Sequence, residues 1–151
     1  MTSDLTLRTA TPADYDAIAA VIDDWWDRPV RRLLPRLFLD HFHATSTIAE
    51  AGDDLAGFLI GFLSPSLPDQ AYIHFVGVRP GHRRGGLARV LYERFFALAA
   101  ARGAAGVSAV TSPVNERSIA FHAALGFTVS DPIPGYDGPG DVKVRFERSL
   151  A

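Results

Sequence analysis

Between Val78-Arg79-Pro80 and Leu87 the chain runs Gly81-His82-Arg83-Arg84-Gly85-Gly86, crowding glycines and cations into one turn. The residues before it resemble the end of a strand and those after it the start of a helix. The first N–H groups of a helix have no partner within the helix and carry its positive dipole end. A glycine turn lets a phosphate approach those groups without a Cβ in the way, and arginines add charge-assisted hydrogen bonds. The chemistry on offer is anion binding, although a solvated loop with two surface arginines fits the same residues. Two familiar phosphate loops are excluded. Gly81 and Gly86 have the spacing of a nucleotide-triphosphate loop, but Leu87-Ala88 replaces its lysine and magnesium-binding hydroxyl. The G-x-G-x-x-G dinucleotide fingerprint is absent.

Composition narrows the chemistry further. With no cysteine among 151 residues, disulfides, thiolate metal sites and cysteine nucleophiles are ruled out. His41 and His43 are two apart on an expected helix, face different ways and make poor joint metal ligands. No metal is expected. A formal charge of -2 disfavours nucleic acid, whose phosphate backbone calls for a basic face. Hydrophobic residues at 48% and charged residues at 21% describe a globular chain. No apolar run reaches membrane-spanning length, and Met1-Thr2-Ser3-Asp4 lacks the features of a signal peptide, so a cytoplasmic setting is expected.

The elements that must position the turn follow from periodicity. Leu5 to Arg8 alternates as a strand, and Thr11-Pro12 opens a helix carrying Ile18, Val21, Ile22 and Trp25 on one face. Asp27-Arg28-Pro29 breaks it, and a second helix is predicted over Val30 to His43. Strands are predicted near Thr47–Glu50, Leu55–Leu63 and Ala71–Val78, with a loop at Ser64–Pro68. Leu87, Val90, Leu91, Phe95 and Leu98 mark a long helix ending near Gly103. Gly106–Thr111 reads as a buried strand and Asn115–Leu125 as a helix stopped by Gly126. After a Pro/Gly-rich loop over Pro132–Gly140, the tail alternates at Val142, Val144 and Phe146. The expected fold class is α/β: one domain over residues 1–151, with about four helices on a sheet of six to seven strands.

Arg83-Arg84-Gly85-Gly86-Leu87-Ala88 also satisfies the pattern Arg/Gln-x-x-Gly-x-Gly/Ala between a strand and an amphipathic helix. This resembles the acetyl-CoA-binding motif of the GCN5-related N-acetyltransferase (GNAT) superfamily. A second block, Asn115 to Phe127 with its Leu125-Gly126-Phe127 ending, is similar to the family's closing helix and following strand. The element order is similar across nearly the whole chain. The resemblance implies a mostly antiparallel sheet whose central strands splay for CoA, and acetyl-CoA as cosubstrate. It places Arg83, Arg84, Gly85, Gly86, Leu87 and Ala88 at the pyrophosphate, and the backbone of Val76 and Val78 beside the pantetheine arm. Asn115 matches a cofactor-contacting asparagine, and it equally suits a helix N-cap.

Acetyl transfer to an amine requires loss of a proton from an ammonium of pKa about 10, so a base or water chain is needed. The resemblance puts Tyr72 where many members carry a glutamate. Tyrosine is a poor base at neutral pH, and His74, two residues on, shares its strand face. His74 is therefore the expected base or water-orienting group, with Tyr72 positioning the acceptor; a hydrogen-bonded strand histidine without chemistry is the other reading. His122 falls where the family often has a tyrosine that protonates the leaving thiolate. It is expected as a cofactor contact and as a candidate general acid.

The acceptor region implied by the resemblance offers Asp23-Asp24-Trp25-Trp26-Asp27-Arg28, with Arg31 and Arg32 nearby and Tyr136 and Asp137 in the late loop. These residues could wall a pocket for an amine, or a tryptophan could be core and the charges solvated. The function expected is N-acetylation of a small-molecule primary amine, such as an amino acid or polyamine-like amine. The alternative is a non-catalytic acyl-CoA sensor on the same fold. Neither a nucleic-acid nor a membrane partner is expected, and a homodimer is left open.

Overall fold

A computed structural model of the protein describes residues 5–151; Met1 to Asp4 lie outside the described residues. The helices are α1 (Tyr15–Trp26), α2 (Leu37–Phe42), α3 (Leu87–Ala101) and α4 (Glu116–Ala124). The strands are β1 (Leu5–Thr9), β2 (Thr47–Ala51), β3 (Asp54–Leu63), β4 (Gln70–Val78), β5 (Gly106–Thr111), β6 (Thr128–Val129), β7 (Ile133–Pro134) and β8 (Val142–Ser149). Among the described residues there are eight strands rather than six or seven, because two of them, β6 and β7, are two residues long, too short to show a period in sequence. The fold class is mixed α/β and mostly antiparallel.

The chain divides into two compact units, residues 1–62 with 73–98 and residues 63–72 with 99–151. In the first, strand order is β1-β2-β3-β4, and β1–β2 and β2–β3 are antiparallel, with a bulge at Ala49/Glu50. Ile18, Ile22 and Trp25 from α1 join Val30, Leu34, Leu39, Ile48, Phe58 and Ile60 in its core. In the second unit, Gln70–Tyr72 pairs parallel with Gly106–Ser108, and β5 pairs antiparallel with β8. β6 and β7 both pair with β8. Val107, Ala109, Val144 and Phe146 are buried there, as the alternation in the tail requires.

The predicted helix over Val30–His43 is broken. A 3-10 turn covers Arg31–Leu33, Leu34 leaves helical space at φ -131° and ψ 76°, and α2 begins only at Leu37. Pro35 is the cause: its ring disfavours the α conformation of the preceding residue and it donates no N–H. The break leaves the Leu33 carbonyl free for a partner outside its own segment.

Gly77 on β4 is held by close approach. A Cβ there would lie 2.6 Å from the Phe58 ring and 3.0 Å from Trp26. Phe58 is fully buried, so it cannot swing away. Gly77→Ala is expected to lower unfolding free energy by about 1–3 kcal/mol, read from the urea midpoint. Wild-type stability in that variant would mean the ring relaxes without cost.

Candidate functional site

The turn between β4 and α3 begins with Pro80–His82 in a 3-10 turn and Arg83 extended at φ -68°, ψ 152°. Arg84 then sits at φ 72° and Gly86 at φ 81°, while Gly85 between them is not positive. Alternation of backbone sign between neighbouring residues is a pattern of turns that bind anions elsewhere. A Cβ on Gly86 would meet nothing within 4 Å, so glycine is needed there for its φ and not for room. The Gly86 carbonyl accepts from Val90 N–H at 3.1 Å, marking it as the cap residue of α3. The N–H groups of Leu87, Ala88 and Arg89 are then the orphan donors of the first turn.

Not every residue of the motif points its side chain outward. The Arg83 guanidinium donates to the Trp25 carbonyl at 2.7 Å and the Val78 carbonyl at 3.2 Å. It ties the turn to the C-terminal end of α1, where carbonyls lack helical partners. Arg84 is exposed. Val76 and Val78 lie half-buried on β4 just before the turn.

His74 is held firmly within the first unit. Its ring stacks on Phe38 at 3.9 Å between centroids and 2° between planes. Its Nε2 is 2.7 Å from the Leu33 carbonyl. A carbonyl only accepts, so the proton of the neutral ring resides on Nε2 and Nδ1 keeps a lone pair. Burial lowers the His74 pKa, against a smaller opposing effect from the Leu33 hydrogen bond. The imidazole is therefore a neutral acceptor at physiological pH. Adjacent Phe75 packs on Trp26 at 4.8 Å, so successive residues of β4 both meet aromatic side chains of the α1 and α2 segments.

Tyr72 is half-buried, and its phenol is pushed up to about 12, chiefly by burial, then by the fields of Tyr136 and Asp137, with Arg145 opposing. It is protonated at any physiological pH and can donate a hydrogen bond but not act as a base. Within the same unit, Tyr136 is exposed and the Arg145 guanidinium lies 5.9 Å from its ring centre.

His122 is only 5% exposed. It stacks on Phe146 at 3.9 Å and meets Phe121 and Phe127 edge-on. Its Nδ1 donates to the Ser118 carbonyl at 2.7 Å, and burial lowers its pKa. Those surroundings work against an imidazolium serving as general acid. Asn115 accepts from Ser118 N–H at 3.3 Å and donates to Thr111 Oγ1 at 3.2 Å. Its amide caps α4, the second of its two readings.

Trp25 is packed into the core of the first unit. It is 6% exposed, stacked on Phe58 at 5.9 Å, with the Arg79 guanidinium 5.2 Å from its ring centre. Amphipathic periodicity put it on the buried face of α1, and the core claimed its indole. Trp26 is half-buried against Phe75 and Arg28 is exposed. An open cleft of about 400 Å³ nearby is lined by Tyr15, Asp23, Pro29, Arg31, Arg32 and Pro35. Asp23 accepts from Val30 and Arg31 N–H at 2.8 and 2.9 Å, so its charge caps the short turn after α1. Among the described residues no metal-binding cluster occurs, and no helix is long and apolar enough to cross a membrane.

Both rings bear on stability. The folded pKa of His74 and of His122 is below the unfolded value near 6.5, so the unfolded chain takes up protons first as pH falls. The stabilisation is complete above pH 6.5 and is lost as pH drops from there through the folded values. Tm is expected to fall between about pH 7 and pH 5.5, with a shallower slope in His122→Asn. An identical slope in that variant would assign the acid sensitivity to other groups.

The Acetyltransferase (GNAT) family matches residues 13–127. The L-2,4-diaminobutyric acid acetyltransferase of Nocardia farcinica is 33% identical over 89 residues, which span 59% of this chain and 46% of that protein. Its counterpart in Shouchella clausii is 28% identical over 89 residues, spanning 59% and 50%. The match thus covers about half the length of these relatives. Among solved structures, the diaminobutyrate acetyltransferase of Paenibacillus lautus, in complex with L-2,4-diaminobutyric acid and coenzyme A, superposes with a TM-score of 0.78. It is 22% identical and the match covers 99% of this chain and 98% of that one. The ribosomal-protein-S18-alanine N-acetyltransferase of Escherichia coli gives a TM-score of 0.76 at 19% identity over 97% and 94%. At such identities the two structures speak for the fold alone. The family match takes in β4, the glycine turn, α3 and the Leu125-Gly126-Phe127 block, and on it the chain belongs to the GNAT family of acetyltransferases.

Proposed function

We propose that residues 1–151 act as one acetyltransferase domain that uses acetyl-CoA to acetylate a primary amine of a small molecule by direct attack. The observation that carries this reading is the turn at Arg84–Gly86, where alternating φ and the open first turn of α3 make a cradle suited to a pyrophosphate. Arg84, Gly85, Gly86, Leu87 and Ala88 would offer it their backbone N–H groups. Arg83 would act from behind, holding the turn to α1. The backbone of Val76 and Val78 would flank the pantetheine arm.

For the chemistry, His74 Nδ1 would take the amine proton, directly or through one water, while Nε2 stays anchored on Leu33. The amine nitrogen would bond to the acetyl carbon and the carbon–sulfur bond would break, releasing CoA as a thiolate. A thiol with pKa about 8.5 leaves tolerably without a proton donor, so burial of His122 does not obstruct the reaction. Tyr72, held protonated, would donate a hydrogen bond to the acceptor. Relatives that act on L-2,4-diaminobutyric acid support a small amino-acid amine as acceptor.

The test follows free thiol in a mixture of protein, acetyl-CoA and an amine panel that includes L-2,4-diaminobutyrate and 1,3-diaminopropane. The chain has no cysteine, so all signal comes from CoA. Amine-dependent release supports the enzyme. Binding of CoA without release on any amine would instead make the protein an acyl-CoA sensor, and absence of CoA binding would overturn both.

A further inference from the structure

The alternation that buries Val107, Ala109, Val144 and Phe146 puts the intervening residues of the second unit on the opposite sheet face. Register fixes which ones meet. Tyr72 pairs with Ser108, Ser108 with Glu147, and Val110 with Arg145. Residues directly across a sheet share a face, so Tyr72, Ser108, Val110, Glu147 and Arg145 project the same way. Arg145 lies two strands across from Tyr72 and two residues along, roughly 12 Å between Cα atoms by ordinary strand spacings. Both side chains are long enough to reach into that gap from opposite sides.

The loop between β7 and β8 closes over the same face. Asp137 N–H donates to Asp141 at 3.0 Å and Gly135 N–H to the Asp141 carbonyl at 2.6 Å, so the loop is internally bonded. It holds Tyr136 under the Arg145 guanidinium. Asp137 is 3.5 Å from Lys143, which also pairs with Asp141. The acidic groups of the loop are thereby directed to Lys143, and among the described residues Arg145 forms no ion pair. Its backbone is pinned as well, with its N–H on Ser130 Oγ at 2.8 Å and its carbonyl accepting from Ser130 N–H at 2.9 Å. The result is a planar fork of donors, fixed at the root, set over an aromatic ring and without a carboxylate of its own. Such a fork suits bidentate binding of a carboxylate.

We infer that Arg145, set over Tyr136 on the sheet face of Tyr72, binds the carboxylate of the acceptor, and that the acceptor is therefore an amino acid and not a simple polyamine. This rests on the acetyltransferase reading above. Tyr72 and Arg145 then fix the two ends of the acceptor, the phenol near the reacting amine and the fork at the carboxylate. Arg145 is a specificity-determining residue. It touches no reacting atom.

The experiment compares L-2,4-diaminobutyrate with 1,3-diaminopropane, the same carbon chain lacking the carboxylate. Calorimetric Kd values and thiol-release kcat/KM are taken for the wild type, Arg145→Gln and Arg145→Lys, with Tm confirming that each variant folds. In the wild type the amino acid is expected to be favoured by roughly tenfold or more, the value of a charged hydrogen-bonding pair. In Arg145→Gln the ratio between the two acceptors should fall towards one, and Arg145→Lys, which keeps charge but loses the fork, should lie between. A ratio unchanged in Arg145→Gln, a wild type that does not prefer the amino acid, or a variant that weakens CoA binding instead would each overturn the assignment. Absence of thiol release with every amine would sink the enzymatic reading, whereas the Kd ratio judges Arg145 independently of turnover.

Discussion

A His74→Ala protein is expected to lose about 10²–10⁴-fold in kcat/KM for acetyl transfer while keeping its affinity for CoA. An ammonium at neutral pH cannot attack a thioester until it gives up a proton, and a positioned base contributes on that scale. His74 has the properties the task needs. Its Nε2–H is anchored on the Leu33 carbonyl and its ring is clamped against Phe38. Its pKa is lowered by burial, so Nδ1 remains an acceptor through the physiological range. Tyr72 cannot substitute, since its phenol is raised to about 12. The pH profile supplies the sign: a lowered pKa puts the acid limb belonging to His74 below pH 6.5. Because alanine also removes the stack on Phe38, His74→Gln serves as a second variant that retains a donor for Leu33 but no base. Undiminished kcat/KM across the pH profile in both would leave His74 as a packing residue.

The second large effect belongs to the turn. Gly86→Val should raise the Kd for CoA by about 10- to 150-fold, the loss of one charged hydrogen bond of about 1.5–3 kcal/mol. Valine at φ 81° is a conformation that β-branched residues resist. The backbone would rotate away and carry the N–H groups of the turn with it. Gly81→Ala is the control. Gly81 has no positive φ, and a methyl group added there would meet nothing within 4 Å, so CoA affinity should stay within about twofold, below one hydrogen bond. Equal affinity in Gly86→Val and wild type, measured by calorimetry, would remove the turn from CoA binding.

Only part of the placement of Arg145 is legible in the sequence. The tail alternation at Val142, Val144 and Phe146 already implied that Arg145 faces away from the core. What it did not contain was the register of β8 against β5, or the parallel pairing of β4 with β5 that brings Tyr72 to the same face. Strand pairing depends on contacts distant in sequence, and one residue of slip would reverse the face of every side chain.

The order of residues alone dictates the parts of this protein whose physics is local. Glycine at Gly86 permits a positive φ, and the amphipathic stretch from Leu87 supplies a helix whose first N–H groups have no partner within it. Pro35 likewise ends helical geometry at Leu34 through a clash with its immediate neighbour. Partner choice is another matter. The sequence offered Trp25 to a pocket or the core, Asn115 to a cofactor or a helix cap, and Arg83 to a phosphate or to solvent. Tertiary structure put Trp25 against Phe58, Asn115 on Ser118 and Arg83 on the Trp25 carbonyl. Burial and hydrogen-bond satisfaction are settled among residues brought together only by folding, and a buried group takes the partner that leaves fewest polar atoms unpaired.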